Sequence, residues 1–463
     1  MRMLNRVGFV LLLCLFSFGI YGAELKFTAP EYAGSSFAFY IVPNFLTEKQ
    51  EIIGEGVVSE TGELKLEFNV DQTMPIYSEF GIYKGWFVVE PGASYDIILP
   101  PKADNTSSNP YFRPKLIHLG VKNLDPESAN SLIDNFNRQY NMEMSQNMNQ
   151  IFYRRSLETA ETVISGLKTK FPETKNEYFE QFKKYKYAMM KYMALIQDPT
   201  PIMEEFFFSQ PILYNHPEYC ELFDKLFAKY LQYATQQVDG QKISVMINSG
   251  SYDQLMDWLT LDMLFDKPLA EAVILKGVKP LFYSKRFNVV GLFNLLQKIT
   301  ETSEVEIHKT TSTKLFNELA RTMYGAIAPD LSLLDTKGNL VSWENFEGKY
   351  VYLCFTRSDN EKFAQHKELM KGFWENYKQN LSLVIVLEDE DFEKNAELLD
   401  CSGFEWTILR GQSRREIYDS YNVRILPTYF LIDPMGRMAG SQAPWPDENF
   451  EMQFANILKA TQN

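Results

Sequence analysis

From Glu24 to about Lys122, apolar and polar positions alternate over short runs. Leu64, Leu66 and Phe68 interleave with Lys65, Glu67 and Asn69, a period of two that gives a strand one buried and one wet face. Phe37–Val42 and Trp86–Glu90 are short and rich in β-branched or aromatic residues. Thr61-Gly62, Tyr83-Lys84-Gly85 and Pro91-Gly92 read as the turns between strands. Residues 24–122 are therefore expected to form a β domain, closed by Pro100-Pro101 and the polar loop Asp104–Asn109.

Over 123–326 the period changes to three and four. Leu132, Phe136 and Tyr140 follow Asp125-Pro126-Glu127, which reads as a helix start with proline in the first turn. Phe179, Phe182, Tyr185, Met189 and Met193 fall on one stripe. Leu222–Tyr233, Leu255–Phe265 and Leu292–Ile299 read as further helices, broken around Pro172, Pro199, Pro201, Pro211, Pro217 and Asn248-Ser249-Gly250. An all-α domain is expected here, its aromatic stripe packing helix on helix. If those rings were exposed, they would instead line a ligand groove.

In residues 327–463 the two periods alternate. Leu331–Asp335 and Leu340–Ser342 flank a turn at Thr336–Asn339, and Tyr350–Phe355 is a continuous apolar run, the pattern of a strand buried on both faces. A helix (Asn360–Tyr377), a strand (Leu381–Leu387), a helix (Asp391–Leu399) and an extended segment (Trp406–Leu409) follow. Helix Ser413–Tyr421, strand Thr428–Asp433, a returning strand at Arg437–Ala439 and helix Phe450–Ala460 complete an α/β domain on a mixed sheet. The fold class is thus multidomain: β, then all-α, then α/β.

Composition narrows the classes. With 463 residues, 45% hydrophobic and 14% aromatic, the chain has enough apolar surface to build several cores, which excludes a largely disordered protein. A formal charge of −14 argues against nucleic acid or an anionic membrane as partner, since both need a basic face. Arg2 and Arg6 precede an apolar run from Val7 to Ile20 and then Tyr21-Gly22-Ala23, the pattern of a secretory signal peptide cleaved after Ala23. Residues 1–23 are expected to be removed, taking Cys14 with them and leaving no segment that spans a membrane. The expected location is the periplasm or cell envelope.

The punctuation of the last zone resembles a known family. Ala328-Pro-Asp-Leu331, Asp335-Thr-Lys-Gly338, Phe346-Glu-Gly-Lys349 and Tyr421–Asp433 with Gly436 occur in the order found in thioredoxin-like envelope proteins. The likeness is to the TlpA-like and alkyl-hydroperoxide-reductase-type thiol–disulfide oxidoreductases, over Ile327–Asn463. Residues 24–122 more loosely resemble the small β domain that precedes such modules. The resemblance implies that Pro427 is a cis proline and that Leu426-Pro427-Thr428 forms a substrate-facing edge. It also implies a Cys-x-x-Cys at the start of the helix after the first central strand, where the helix N-terminus lowers a thiol pKa.

In this chain the family's spacing places that motif on Asn360-Glu-Lys-Phe363. An amide and a phenyl ring form neither thiolate nor disulfide, and no cysteine lies between Cys354 and Cys401. Cys354 is expected to be core, Cys401 an exposed thiol that could be oxidised, and Cys220 a residue of the helical zone. His118, His216, His308 and His366 have no metal-ligand spacing, and His366 reads as a solvated helix residue. The acidic run Glu388–Asp391 reads as a solvated loop capping the next helix. No metal or cofactor is implied. The sequence-based expectation is a redox-inactive exported protein that binds a protein or peptide partner. Its alternatives are a thiol–disulfide oxidoreductase using Cys401, or an envelope peptide- or glycan-binding protein. A correct alignment requires Asn360 and Pro427 to lie within a few ångströms of each other.

Overall fold

The computed structural model describes residues 22–47, 49–104, 114–122, 124–195, 198–389, 391–400, 405–411, 415–423, 425–440 and 442–461. Residues 1–21 of the expected signal peptide, with Cys14, the Asp104–Asn109 loop beyond residue 104, and Cys401 lie outside them. The chain divides into two compact units. The first takes in the chain up to Asn105, Pro114–Phe206 and Leu213–Phe223; the second takes in Phe207–Ile212 and Asp224 onward. The helical stretch expected as one domain is thus shared between them.

The first unit opens with two sheets. One has the order β4-β1-β7-β9, from β4 (Glu63–Asn69), β1 (Gly22–Thr28), β7 (Ser94–Ile98) and β9 (Gly120–Lys122). The other has the order β3-β2-β5-β6-β8, from β3 (Glu51–Val57), β2 (Ser36–Ile41), β5 (Met74–Phe80), β6 (Tyr83–Val89) and β8 (Lys115–His118). Leu64 and Phe68 of β4 are buried and Leu66 half-buried, while their polar neighbours are exposed. They pair with Phe27, Ala23 and Leu25 of β1. Phe37, Phe39, Ile76, Phe87 and Ile97 join them in one core, each fully buried side chain contributing on the order of 2 kcal/mol before conformational entropy is subtracted. Ala23, placed before the expected cleavage point, is part of that core.

One expected turn is corrected. Tyr83-Lys84-Gly85 lies inside β6, and the chain reverses at Gly81, whose φ is 53°. A Cβ at Gly81 would stand 2.1 Å from the Ala103 carbonyl oxygen, so only glycine fits there. Gly85 is needed for a different reason: a Cβ on it would meet Leu119 at 2.8 Å.

Helices α1 (Ala129–Met148), α2 (Leu157–Lys170), α3 (Glu177–Met193) and α4 (Thr200–Phe206) follow, and α5 (Pro217–Phe227) contributes to both units. The first three are capped by Ser128, Ser156 and Asn176, whose side chains accept the amide of the third helical residue. Asp125, expected at the helix start, instead turns the preceding loop by accepting the Glu127 amide. The stripe Phe179, Phe182, Tyr185 and Met189 is buried. The aromatic positions pack helices and do not line a groove.

The second unit continues with α6 (Tyr230–Ala234), α7 (Gly240–Ser249), α8 (Tyr252–Asp257), α9 (Lys267–Tyr283), α10 (Val289–Thr302) and α11 (Glu306–Ala320). The expected helix Leu222–Tyr233 breaks between α5 and α6, and Leu255–Phe265 passes from α8 into a π turn at Trp258–Asp262. Buried Glu271 of α9 accepts from Tyr252 Oη, Ser303 Oγ and His308 Nδ1 at 2.9, 2.6 and 2.8 Å. That set of hydrogen bonds explains how a carboxylate and a histidine are both tolerated in a helical core.

The α/β domain starts with the short hairpin β10 (Leu333–Leu334) and β11 (Leu340–Val341). Its main sheet has the order β14-β13-β12-β15, from β14 (Thr407–Arg410), β13 (Leu381–Leu387), β12 (Tyr350–Thr356) and β15 (Thr428–Ile432). β12, β13 and β14 run parallel and β15 antiparallel to β12. Every residue of β12 is buried, as the unbroken apolar run predicts. Helices α12 (Glu361–Tyr377), α13 (Phe392–Asp400), α14 (Arg415–Ser420) and α15 (Phe450–Thr461) complete it. Arg437–Ala439, expected as a returning strand, makes only isolated bridges: Arg437 to Ile327 and Met438 to Ile432. This is the thioredoxin-like arrangement expected from the order of elements.

Candidate functional site

The candidate site lies where β12 passes into α12. Thr356 ends the buried strand, and five residues later the helix begins at Glu361. Asn360 is the cap: its Oδ1 accepts the Phe363 amide at 3.0 Å. Asparagine is among the best residues for this role because its short carboxamide reaches the free amides of the first turn. The other end of the same carboxamide points across the domain, and Nδ2 donates to the Leu426 carbonyl at 3.1 Å. Leu426-Pro427 is a cis peptide. The loop before the helix and the loop before β15 are therefore joined through one side chain that is only 4% exposed.

Around this bond the exposed surface is limited. Pro427 and Thr428 are buried and Leu426 half-buried, while Ile425 is 56% exposed. The Thr428 hydroxyl donates to the Ile425 carbonyl at 2.6 Å. Phe363 is turned into the core, its ring stacked 6.2 Å from Trp406. Leu426 does stand beside Asn360, bonded to it through its carbonyl, and the cis Pro427 follows it in the chain. Phe363 does not face them: its ring belongs to the core.

Asp389, expected to be solvated, is buried at 3% exposure. It accepts the Ser358 amide at 2.9 Å, the Ser358 hydroxyl at 2.6 Å and Asn395 Nδ2 at 3.1 Å. It caps no helix through free solvent; it holds the loop that precedes Asn360. Composition alone hid this, because an acidic run looks the same whether one of its carboxylates turns inward or not.

His366 is corrected likewise. It is fully buried, with Nδ1 2.9 Å from the Tyr429 hydroxyl and Nε2 3.2 Å from Asp447 Oδ1. Burial pushes the imidazole below the ordinary histidine range, against the pull of Asp447. Neutral His366 then accepts the Tyr429 O–H at Nδ1, while Nε2 stands close to the carboxylate without an aligned hydrogen bond to it. Lys362 reaches the other carboxylate oxygen at 2.6 Å, and this contact holds the Asp447 carboxyl below its usual range. Tyr429 sits opposite Cys354 in the strand pairing. Burial pushes the Cys354 thiol well up, against a hydrogen bond with Tyr429, so the sulfur stays protonated and inert. The core expectation for Cys354 agrees with its full burial.

Among the described residues no group of three or more His, Cys, Asp or Glu side chains is placed to hold a metal ion. No described helix is long and apolar enough to cross a membrane. Cys220, half-buried in the helical zone, stands near the Leu213 carbonyl at 3.6 Å.

Residues 324–440 match the AhpC/TSA family. The thiol–disulfide oxidoreductase ResA of Bacillus subtilis is 26% identical over 136 residues, 29% of this chain and 75% of that protein. ResA of Geobacillus kaustophilus is 28% identical over 130 residues, covering 28% and 74%. A solved structure from Chlorobium tepidum, described as a thiol:disulfide interchange protein DsbE, is 26% identical. It covers 30% of this chain and 96% of its own, with a TM-score of 0.27. The C-terminal domain is thus thioredoxin-like and similar to TlpA-like thiol–disulfide oxidoreductases.

Proposed function

We propose that this chain is an envelope protein whose thioredoxin-like domain binds a protein or peptide partner without exchanging thiols. The observation that carries the reading is Asn360. It stands at the helix start where the relatives' chemistry calls for a thiolate, and its carboxamide is already committed to the Leu426 carbonyl. An amide neither attacks a disulfide nor resolves one. With Pro427 buried, a partner would meet exposed Ile425 and the Arg357–Asp359 loop rather than the proline itself. The N-terminal pattern of basic start, apolar run and small residues supports export, and therefore an envelope partner.

A second reading draws on the relatives themselves, which are named thiol–disulfide oxidoreductases. It makes Cys401 the working thiol, alone or with a partner's cysteine. Thiol alkylation against pH separates the two in a variant that keeps only Cys401. The proposed function predicts a labelling midpoint near the ordinary thiol value, about 8.5. A midpoint below about 7 favours the second reading.

A further inference from the structure

Beyond the thioredoxin-like domain, the first unit holds a cavity of about 560 Å³ between the β strands and the start of α3, a size typical of small-molecule sites, which run about 300–1,000 Å³. Its walls are amides, hydroxyl and carboxylates: Gln72 and Thr73 after β4, Glu90 after β6, Gln181 on α3, and Asn215 before α5. No lysine or arginine lines it, although four lysines of α2 and α3 line a separate cavity of this unit. Side chains that both donate and accept suit hydroxyl groups, which do the same. The carboxylates disfavour an anion.

One wall carries a polar problem that the chain leaves unsolved. Tyr178 and His216 line the cavity, with their rings 4.6 Å apart. His216 is 3% exposed and its Nε2 donates to the Tyr178 carbonyl at 3.4 Å, which leaves Nδ1 as a bare acceptor. Nδ1 has no hydrogen-bond partner, nor has the Tyr178 hydroxyl, nor Oε2 of Glu218, which stands 3.8 Å behind Nδ1. Burial keeps His216 neutral by pushing its pKa down to about 4. All three atoms are sealed from solvent, so they lie behind the cavity wall and not on its surface, which is left to the Tyr178 ring and the amide side chains.

We propose that this cavity is a binding site for a small neutral polyhydroxyl ligand, a sugar of one or two rings. Gln181, Asn215 and Glu90 would pair with its hydroxyls and the Tyr178 ring would cover an apolar face of it, as aromatic rings do for C–H surfaces. His216 and Glu218 form the polar backing of the wall.

Calorimetric titration of the purified full chain with maltose and with N-acetylglucosamine tests this, with glucose 6-phosphate and putrescine as charged controls. Saturable binding of at least one neutral sugar is expected, with both controls silent. Gln181→Ala and Asn215→Ala are half-buried wall residues, and each is expected to weaken that binding at least tenfold without lowering the melting temperature. Tyr178→Leu removes the covering ring and is expected to weaken binding at least threefold, the sealed hydroxyl contributing nothing to it. No saturable binding by either sugar overturns the proposal. Binding of putrescine or the phosphate in their place also overturns it, as does sugar binding untouched by all three substitutions.

Discussion

Asn360 and Leu426 are joined by a 3.1 Å hydrogen bond from carboxamide to carbonyl, while the same carboxamide caps α12 by accepting the Phe363 amide. One side chain thus fixes both a helix start and the loop carrying the cis proline.

Asn360→Ala removes both bonds at once. A lost cap costs about 1 kcal/mol, and an unsatisfied carbonyl adds roughly 1–2 kcal/mol. The expected result is a destabilisation of about 2–3 kcal/mol in denaturant unfolding. Asn360→Asp keeps the cap and loses the donor to Leu426, so about half that loss is expected. Hydrogen exchange at the Phe363 amide should accelerate in the alanine variant only.

Asp389→Ala is expected to free the Ser358 loop. Three donors lose their acceptor, two of them on one residue. Hydrogen bonds to a carboxylate contribute roughly 1.5–3 kcal/mol each when buried, with strong non-additivity. A loss of about 2–4 kcal/mol is expected, with Asp389→Asn retaining part of it, again by denaturant unfolding.

How far these features could be read in the sequence depends on how local their causes are. β12 was legible because a run of buried residues is written directly into Tyr350–Thr356. The cap went unread: the expected helix Asn360–Tyr377 counts Asn360 as its first residue, although asparagine just before a helical pattern is a local signal for a cap. His366 and Asp389 were misread as solvated because their burial is decided by partners distant in the chain. Tyr429 is 63 residues from His366, and Ser358 is 31 from Asp389. A lone histidine on a helix carries no period that distinguishes a buried position from a wet one. The Leu222–Tyr233 helix failed for a similar reason. Its apolar spacing runs on through Lys229, but that residue has φ −115° and ψ 14°, which ends one helix before the next begins.

Cys354 is expected to be silent. In a variant that retains only this cysteine, a disulfide reagent at pH 8 should label nothing in the native protein. One equivalent should react after denaturation, since full burial and the raised thiol pKa act together. Native labelling at the rate of a free thiol would place Cys354 outside the core.

Acid should weaken the first unit through His216. Its folded pKa is pushed down to about 4 from 6.5, so between these values the unfolded chain binds the proton first. Stability from this group is complete above pH 6.5 and is lost as pH falls toward 4, on the order of 3 kcal/mol in total. Glu218 beside it, its carboxyl pushed up by burial, contributes with the opposite sign. The measurement is therefore a comparison of stability against pH with His216→Gln, whose curve should be flatter over that window.

The proposed function requires that this thioredoxin-like domain bind a partner without exchanging thiols. Its most direct test is reduction of insulin disulfides by the purified full chain, run beside Cys401→Ser. No turnover above the uncatalysed rate, in either protein, is the predicted result. Turnover in the parent that disappears in Cys401→Ser would contradict the claim and make Cys401 the working thiol.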